Sequence, residues 1–299
     1  MTKIGLGTVQ FGIPYGITNS GGRVPLDEVR AILDRAAAAG VATLDTAALY
    51  GESEAVLGQA LRPDAPFEIV TKTAKFADVT DPATARTRLN DTFSASLAAL
   101  KREHVYGLLA HEADDLLGPA GETIWQAMQA HKRAGRVTKI GASVYTGRQI
   151  DALMARYDLD LVQLPINALD DRLIRDGQLA RLHARGVEVH ARSLFLQGLL
   201  LQAPDAIEPR FAPLPERVRA LHAVFAAAGL SPLEGALAAI MRRPEISRTV
   251  VGVTSTREWD AIIVASENAG RFRGDLDLTR LAIDDERILS PARWHELKT

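Results

Sequence analysis

Four side chains stand where short apolar runs of the sequence end: Asp45 and Tyr50 in LDTAALYGESE, Lys72 in FEIVTKT, and His111 in VYGLLAHEAD. A carboxylate, a phenol, an amine and an imidazole in one place make a proton-transfer site. Reduction of a carbonyl shows how they divide the work. Hydride arrives at carbon, negative charge develops on oxygen, and a positioned acid supplies a proton. A tyrosine phenol has an ordinary pKa of about 10, too high for efficient transfer near neutrality. An adjacent ammonium favours the phenolate and lowers it. Lys72 is placed to act on Tyr50 in this way, Asp45 to hold Lys72 charged, and His111 to hydrogen-bond the substrate oxygen. Taken singly, each residue has a plainer reading. Asp45 with Thr46 caps a turn, a strand-end lysine is solvated, a tyrosine beside glycine packs, and a histidine caps a helix. Their joint appearance after three successive apolar runs favours chemistry.

The elements that must position them follow from hydrophobic spacing. Apolar runs at 4–8, 42–45, 67–71, 105–110, 138–143, 160–165, 187–192 and 248–253 predict eight strands. The runs are short and nearly continuous, as in parallel strands buried on both faces. Helical patterns separate them. In 24–40, Val29, Ile32, Leu33, Ala36 and Ala37 share a face, and Gly40 closes the helix. AAAAGVATLD, HKRAGRVTKIG and HARGVEVHARS each read helix, glycine, strand. Repeated βα units predict an α/β fold, a closed (β/α)8 TIM barrel spanning 1–299 as one domain, with additional C-terminal helices; a doubly wound sheet is the alternative. In the barrel, neighbouring strand ends converge on one site. The longest interval, 193–247, carries QAPDAIEPRFAPLPER and predicts a lid or cofactor clamp. The tail 280–299 predicts short helices over one barrel end. Gly5, Gly7 and Gly12 lack the spacing of a dinucleotide-binding glycine fingerprint.

The chain has 299 residues and a formal net charge of −2, which favours neither nucleic acid nor an anionic membrane as partner. Cysteine is absent, which excludes disulfides and thiolate metal ligands and fits a reducing cytoplasm. The opening MTKIGLGTVQFG does not read as a signal peptide, and no run reaches the roughly 20 apolar residues that span a bilayer. A cytoplasmic location is expected, where the acceptor triplet Asn90-Asp91-Thr92 has no meaning. His104, His131, His183, His190, His222 and His295 show no paired metal-ligand spacing, so no metal is expected. Oligomeric state is left open.

The block Asp45-Thr46-Ala47-x-x-Tyr50-Gly51-x-Ser53-Glu54, with Lys72 in IVTKT and His111 in LLAHE, resembles the aldo-keto reductase superfamily over nearly the whole chain. TVQFGIPYG is similar to a bacterial branch labelled as sugar- or polysaccharide-related oxidoreductases. The resemblance implies hydride transfer between a nicotinamide cofactor, NADPH first and NADH second, and a small-molecule carbonyl substrate, with Tyr50 as general acid. It implies that Ser143, followed by Val144 where the family has asparagine, meets the nicotinamide with Gln163 and Asn167. Arg192 replaces the aromatic residue that stacks on the ring, and a planar guanidinium can also stack. Ser193, Leu194 and Gly198 would cover the pyrophosphate, and Gly252 and Thr254 would cradle the adenosine phosphate. Arg257 is the cation available for a 2′-phosphate, and Asn268 lies near the adenine. With Arg257 turned outward, both nucleotides fit.

Other readings stay open. The same groups run the reverse reaction of an alcohol or sugar dehydrogenase. A cofactor-sensing regulatory protein would keep the fold with little turnover. An isomerase or aldolase would use Lys72 for a Schiff base, with Tyr50 and His111 as acid and base. Substrate choice is expected from loops at 13–24, 74–80, 112–119 and 200–216, with Tyr15 and Phe211 as apolar walls. An aromatic content of 5% favours a small polar carbonyl, such as a sugar derivative.

Overall fold

The structure is a computed structural model and describes residues 2–297. Eight parallel strands succeed one another around a closed barrel: β1 (Ile4–Gly7), β2 (Thr43–Asp45), β3 (Glu68–Lys72), β4 (Val105–Ala110), β5 (Val137–Ser143), β6 (Leu161–Pro165), β7 (Glu188–Arg192) and β8 (Arg248–Gly252). Leu6 of β1 registers with Leu44 on one side and Val251 on the other, so the sheet has no edge and the doubly wound alternative is excluded.

The helices between strands form for local reasons. Leu26–Ala38 starts after Pro25 with Asp27 and Glu28 in its first turn, where negative charge suits the helix dipole. It buries Val29, Ile32, Leu33 and Ala36, while Ala37 stays half-buried at the margin. Thr146 and Gln149 form a capping box for Gly147–Met154, and Ser231 and Glu234 another for Pro232–Met241. Such caps contribute about 1 kcal/mol each. No single described helix is long and apolar enough to cross a membrane.

Most of the apolar core lies between barrel and helices, where Leu6, Leu44 and Val162 belong to one cluster with Ile32, Leu89 and Ile150. Inside the barrel lies a thin apolar layer of Val70, Leu109 and Leu161. The N-terminal mouth below it is polar. Glu188 accepts hydrogen bonds from Tyr106 Oη and His190 Nε2, both at 2.7 Å, and from Lys139 Nζ. Burial pushes the Glu188 carboxyl up, but the three donors outweigh it and hold it well below the usual carboxylate range.

The segment after β7 is packed down and is not a free lid. Leu196, Leu199, Leu200 and Phe211 form a second cluster with Leu221, Phe225 and the tail residues Ile288, Leu289 and Trp294. Phe211 is fully buried, with its ring 5.0 Å from that of Trp294. The expectation that Phe211 walls a pocket is therefore corrected: an aromatic partner 83 residues further along the chain claims it. The tail does cover one barrel end, where Pro291 and Ala292 reach a groove at the C-terminal ends of the strands.

Candidate active site

Tyr50 is carried by a tight turn after β2, and the surrounding motif holds that turn. A Cβ on Gly12 would stand 1.8 Å from the Tyr50 carbonyl oxygen, so only glycine lets the two backbones meet. Gly51 sits at φ +58°, a conformation costly for other residues. Ser53 Oγ donates to the Thr8 carbonyl at 2.8 Å and accepts from Thr46 Oγ1 at 3.0 Å. Buried Glu54 accepts from Thr71 Oγ1 at 2.5 Å. The turn is thus clamped to β3 and to the segments that come after β1 and β2.

Within this frame Lys72 Nζ donates to both Asp45 oxygens, at 2.8 and 2.9 Å, and to the Thr46 carbonyl at 2.9 Å. Those bonds use all three ammonium protons. Gln163 Nε2 donates to Asp45 Oδ1 at 2.7 Å, a bracing role beyond its expected place by the nicotinamide. Lys72 is 1% and Asp45 4% exposed, so this is a buried ion pair. Burial pulls the Lys72 pKa down, but Asp45 and Tyr50 more than offset it, and the net shift is upward.

Lys72 Nζ stands 4.9 Å from the centre of the Tyr50 ring. Burial raises the phenol's pKa, Lys72 lowers it, and burial wins. The expected net lowering by Lys72 is therefore corrected: the ammonium acts in that direction, but the phenol remains firmly protonated near neutrality. The His111 ring meets Tyr50 edge-on at 5.7 Å. Burial, helped by the nearby Lys72 charge, lowers the His111 pKa to about 3. Its Nδ1 is buried without a partner.

These groups lie at one part of a groove of about 930 Å³. Ser143, Gln163, Arg192, Ser193, Leu194 and Gly198 line it, and it continues to Gly252 and Thr254. A Cβ on Gly252 would come within 2.6 Å of Gln10 Oε1, which is itself buried and unpaired. Two groove-lining residues, Gln10 and His111, thus each keep a buried polar atom without a partner. Such atoms are rare in folded proteins.

A family model described as the Aldo/keto reductase family matches residues 3–270. The chain belongs to this family. An aldo-keto reductase of Bacillus subtilis is 29% identical over 178 residues, 56% of this chain and 51% of that protein. An uncharacterized oxidoreductase of Mycobacterium bovis is 32% identical over 162 residues, 52% of this chain and 47% of that protein. The chain spans about half the length of the curated relatives it matches. Among solved structures, an aldo-keto reductase from Bacillus halodurans in its holo form aligns with a TM-score of 0.74 at 20% identity, covering 97% of this chain and 95% of that one. That likeness is one of fold.

Some residues singled out by the family resemblance lie elsewhere. Asn167 accepts from Leu169 N at 2.9 Å and points its amide at the Ser193 carbonyl, 3.5 Å away; it folds a turn behind the groove. Arg257 is exposed and outside the groove, whereas the next residue, Glu258, lines it. Asn268 donates to Glu234 at 2.6 Å and ties two helices together outside the groove. Arg192 donates to the Val144 carbonyl at 3.0 Å and lies over the Tyr145 ring at 4.3 Å. Loops 74–80 and 112–119 contact each other, with Phe76 N donating to Asp115 at 3.1 Å, and do not line the groove.

Gln10, Tyr145, Gln197 and Glu258 line the groove although sequence reading gives none of them a role, Gln10 lying unremarked within TVQFGIPYG. Gln197 joins the loops that come after β1 and β7. Its Oε1 accepts from Ile17 N at 2.9 Å, its carbonyl from Thr18 Oγ1 at 3.0 Å, and its amide donates to Tyr15 Oη at 3.1 Å. Ser193, Leu196 and Gln197 all have positive φ, 63°, 48° and 53°. No local sequence signal marks a contact of such long range.

The lowered His111 pKa has a consequence for stability. Between its ordinary value of 6.5 and about 3, the folded protein binds less proton here than the unfolded chain. Stability then rises with pH, so this contribution is complete above 6.5 and is lost as pH falls. The protein should be less stable at pH 5 than at pH 7.5, with His111 contributing about 1–2 kcal/mol of the difference. His111→Gln should shrink the difference in denaturant titrations. An unchanged difference would remove His111 from the account.

Proposed function

We propose that this family member transfers hydride between a nicotinamide dinucleotide and the carbonyl carbon of a small molecule, with Tyr50 moving the proton at oxygen. The observation that carries the reading is the buried Asp45–Lys72 pair beside Tyr50, opening onto a groove where His111 keeps an unpaired nitrogen. The groove residues fit a long polar cofactor. Ser143, Gln163 and Arg192 would surround the nicotinamide, Ser193, Leu194 and Gly198 the pyrophosphate, and Gly252 and Thr254 the adenosine end. Bound there, the reduced nicotinamide supplies the hydride.

The chain's own residues do the rest. Neutral His111 orients the carbonyl oxygen through its single N–H. Tyr50 gives that oxygen its proton, and the Lys72 charge stabilises the phenolate left behind. Asp45 and Gln163 keep Lys72 in place. Run backwards, the same groups oxidise an alcohol. The Schiff-base reading is disfavoured because Lys72 is charged and all its protons are engaged. Asn19, Ser20 and Gln202 in the groove lining favour a small polar carbonyl, such as a sugar derivative.

The test is loss of reduced-nicotinamide absorbance when NADH or NADPH is offered with a panel of small aldehydes, ketones and sugars. Carbonyl-dependent oxidation is expected. A protein that binds nucleotide yet turns over none of the panel in either direction would favour a cofactor-sensing role.

A further inference from the structure

We infer that Glu258 makes the groove select the unphosphorylated dinucleotide, NADH or NAD+, over its 2′-phosphorylated counterpart. The inference rests on the dinucleotide reading of the groove. It starts at the end of β8, where the helix Thr256–Arg271 begins. Free backbone N–H groups at a helix start are natural phosphate receptors. Here several are already engaged. Glu258 Oε2 accepts from Thr254 N at 2.7 Å and from Thr254 Oγ1 at 3.0 Å. Thr256 N donates to Glu28 Oε1 at 2.6 Å, and Glu258 N to Ser255 Oγ at 3.2 Å. Two carboxylates and a hydroxyl therefore occupy three backbone donors of this turn, those of Thr254, Thr256 and Glu258.

Among the described residues that line the groove, none beside this turn is a cation. The described lining of the groove contains no lysine, and Arg192 is its only arginine, tied to Val144 and Tyr145. Arg257 lies outside the groove, and Arg35 on the neighbouring helix is paired with Asp260. A ribose with free hydroxyls is complementary to this arrangement, because a carboxylate accepts charge-assisted hydrogen bonds from them. A 2′-phosphate set against the same carboxylate meets like charge, a repulsive element of the kind that creates specificity.

Direct binding tests this without turnover. NADH and NADPH are titrated separately against the whole protein and followed by quenching of tryptophan fluorescence. NADH should bind at least about tenfold more tightly. Glu258→Gln keeps an acceptor for Thr254 N and removes the charge. It should tighten NADPH about tenfold and weaken NADH, whose ribose loses its charged acceptor, so that the preference largely disappears, and the wild-type gap should narrow as salt rises. Wild-type protein that binds NADPH as well as NADH overturns the inference and leaves the dinucleotide reading standing. So does a Glu258→Gln protein whose affinity ratio is unmoved. Failure of both nucleotides to bind overturns the inference and the dinucleotide reading together.

Discussion

Tyr50→Phe should lower turnover by about 10²–10⁴-fold, the usual worth of a positioned general acid, while nucleotide affinity changes little. The substitution removes one oxygen and keeps the ring that meets His111 edge-on. The turn beneath it depends on Gly12, Gly51 and Ser53, none of which touches the hydroxyl. A loss of activity therefore reports on proton transfer and not on misfolding. Turnover within about tenfold of wild type would take Tyr50 out of the acid's role.

Lys72→Met should act on stability and activity together. The thioether fills much of the space of the lysine stem but removes the ammonium. Asp45, 4% exposed, then keeps Gln163 Nε2 and loses the bonds to both its oxygens from Lys72. Breaking a buried pair by deleting one partner typically costs about 3–5 kcal/mol, which denaturant titration would register directly. Turnover should fall as well, since the phenolate of Tyr50 loses its stabilising charge. Adding Asp45→Asn in the same protein removes the stranded charge and should restore most of the stability but none of the activity. A Lys72→Met protein as stable as wild type would contradict the buried pair.

The strands, and the chemical groups at their ends, are legible in the sequence because both depend on local pattern. Short apolar runs between helical periods fix where β2, β3 and β4 end, and Asp45, Lys72 and His111 stand at or just beyond those ends. The region after β8 is harder to read. Neighbouring residues on a helix point about 100° apart, so which of Arg257 and Glu258 faces the groove depends on a helix rotation that residue type does not reveal. Long-range partners are also hidden. Phe211 in a proline-rich stretch resembles a pocket wall until Trp294 claims it, and nothing near Asn268 announces Glu234. The direction of the Tyr50 shift escapes sequence reading because sequence shows a nearby lysine but not the depth of burial that outweighs it.

The hydrogen bonds of Gln197 bear on how long a ligand stays. β8 lies between β1 and β7, and the loops after those two strands meet through Gln197, so the junction spans the strand end that carries Gly252. A molecule lying along that strand end would pass beneath a strap. Its departure would wait on the opening of hydrogen bonds worth about 0.5–1.5 kcal/mol each at most, held by a turn with four residues at positive φ, Gly198 among them. On the proposed reading, residence time would be set by loop contacts, and the chemical step by side chains at strand ends. Evolution can retune the clock of exchange without touching the proton path.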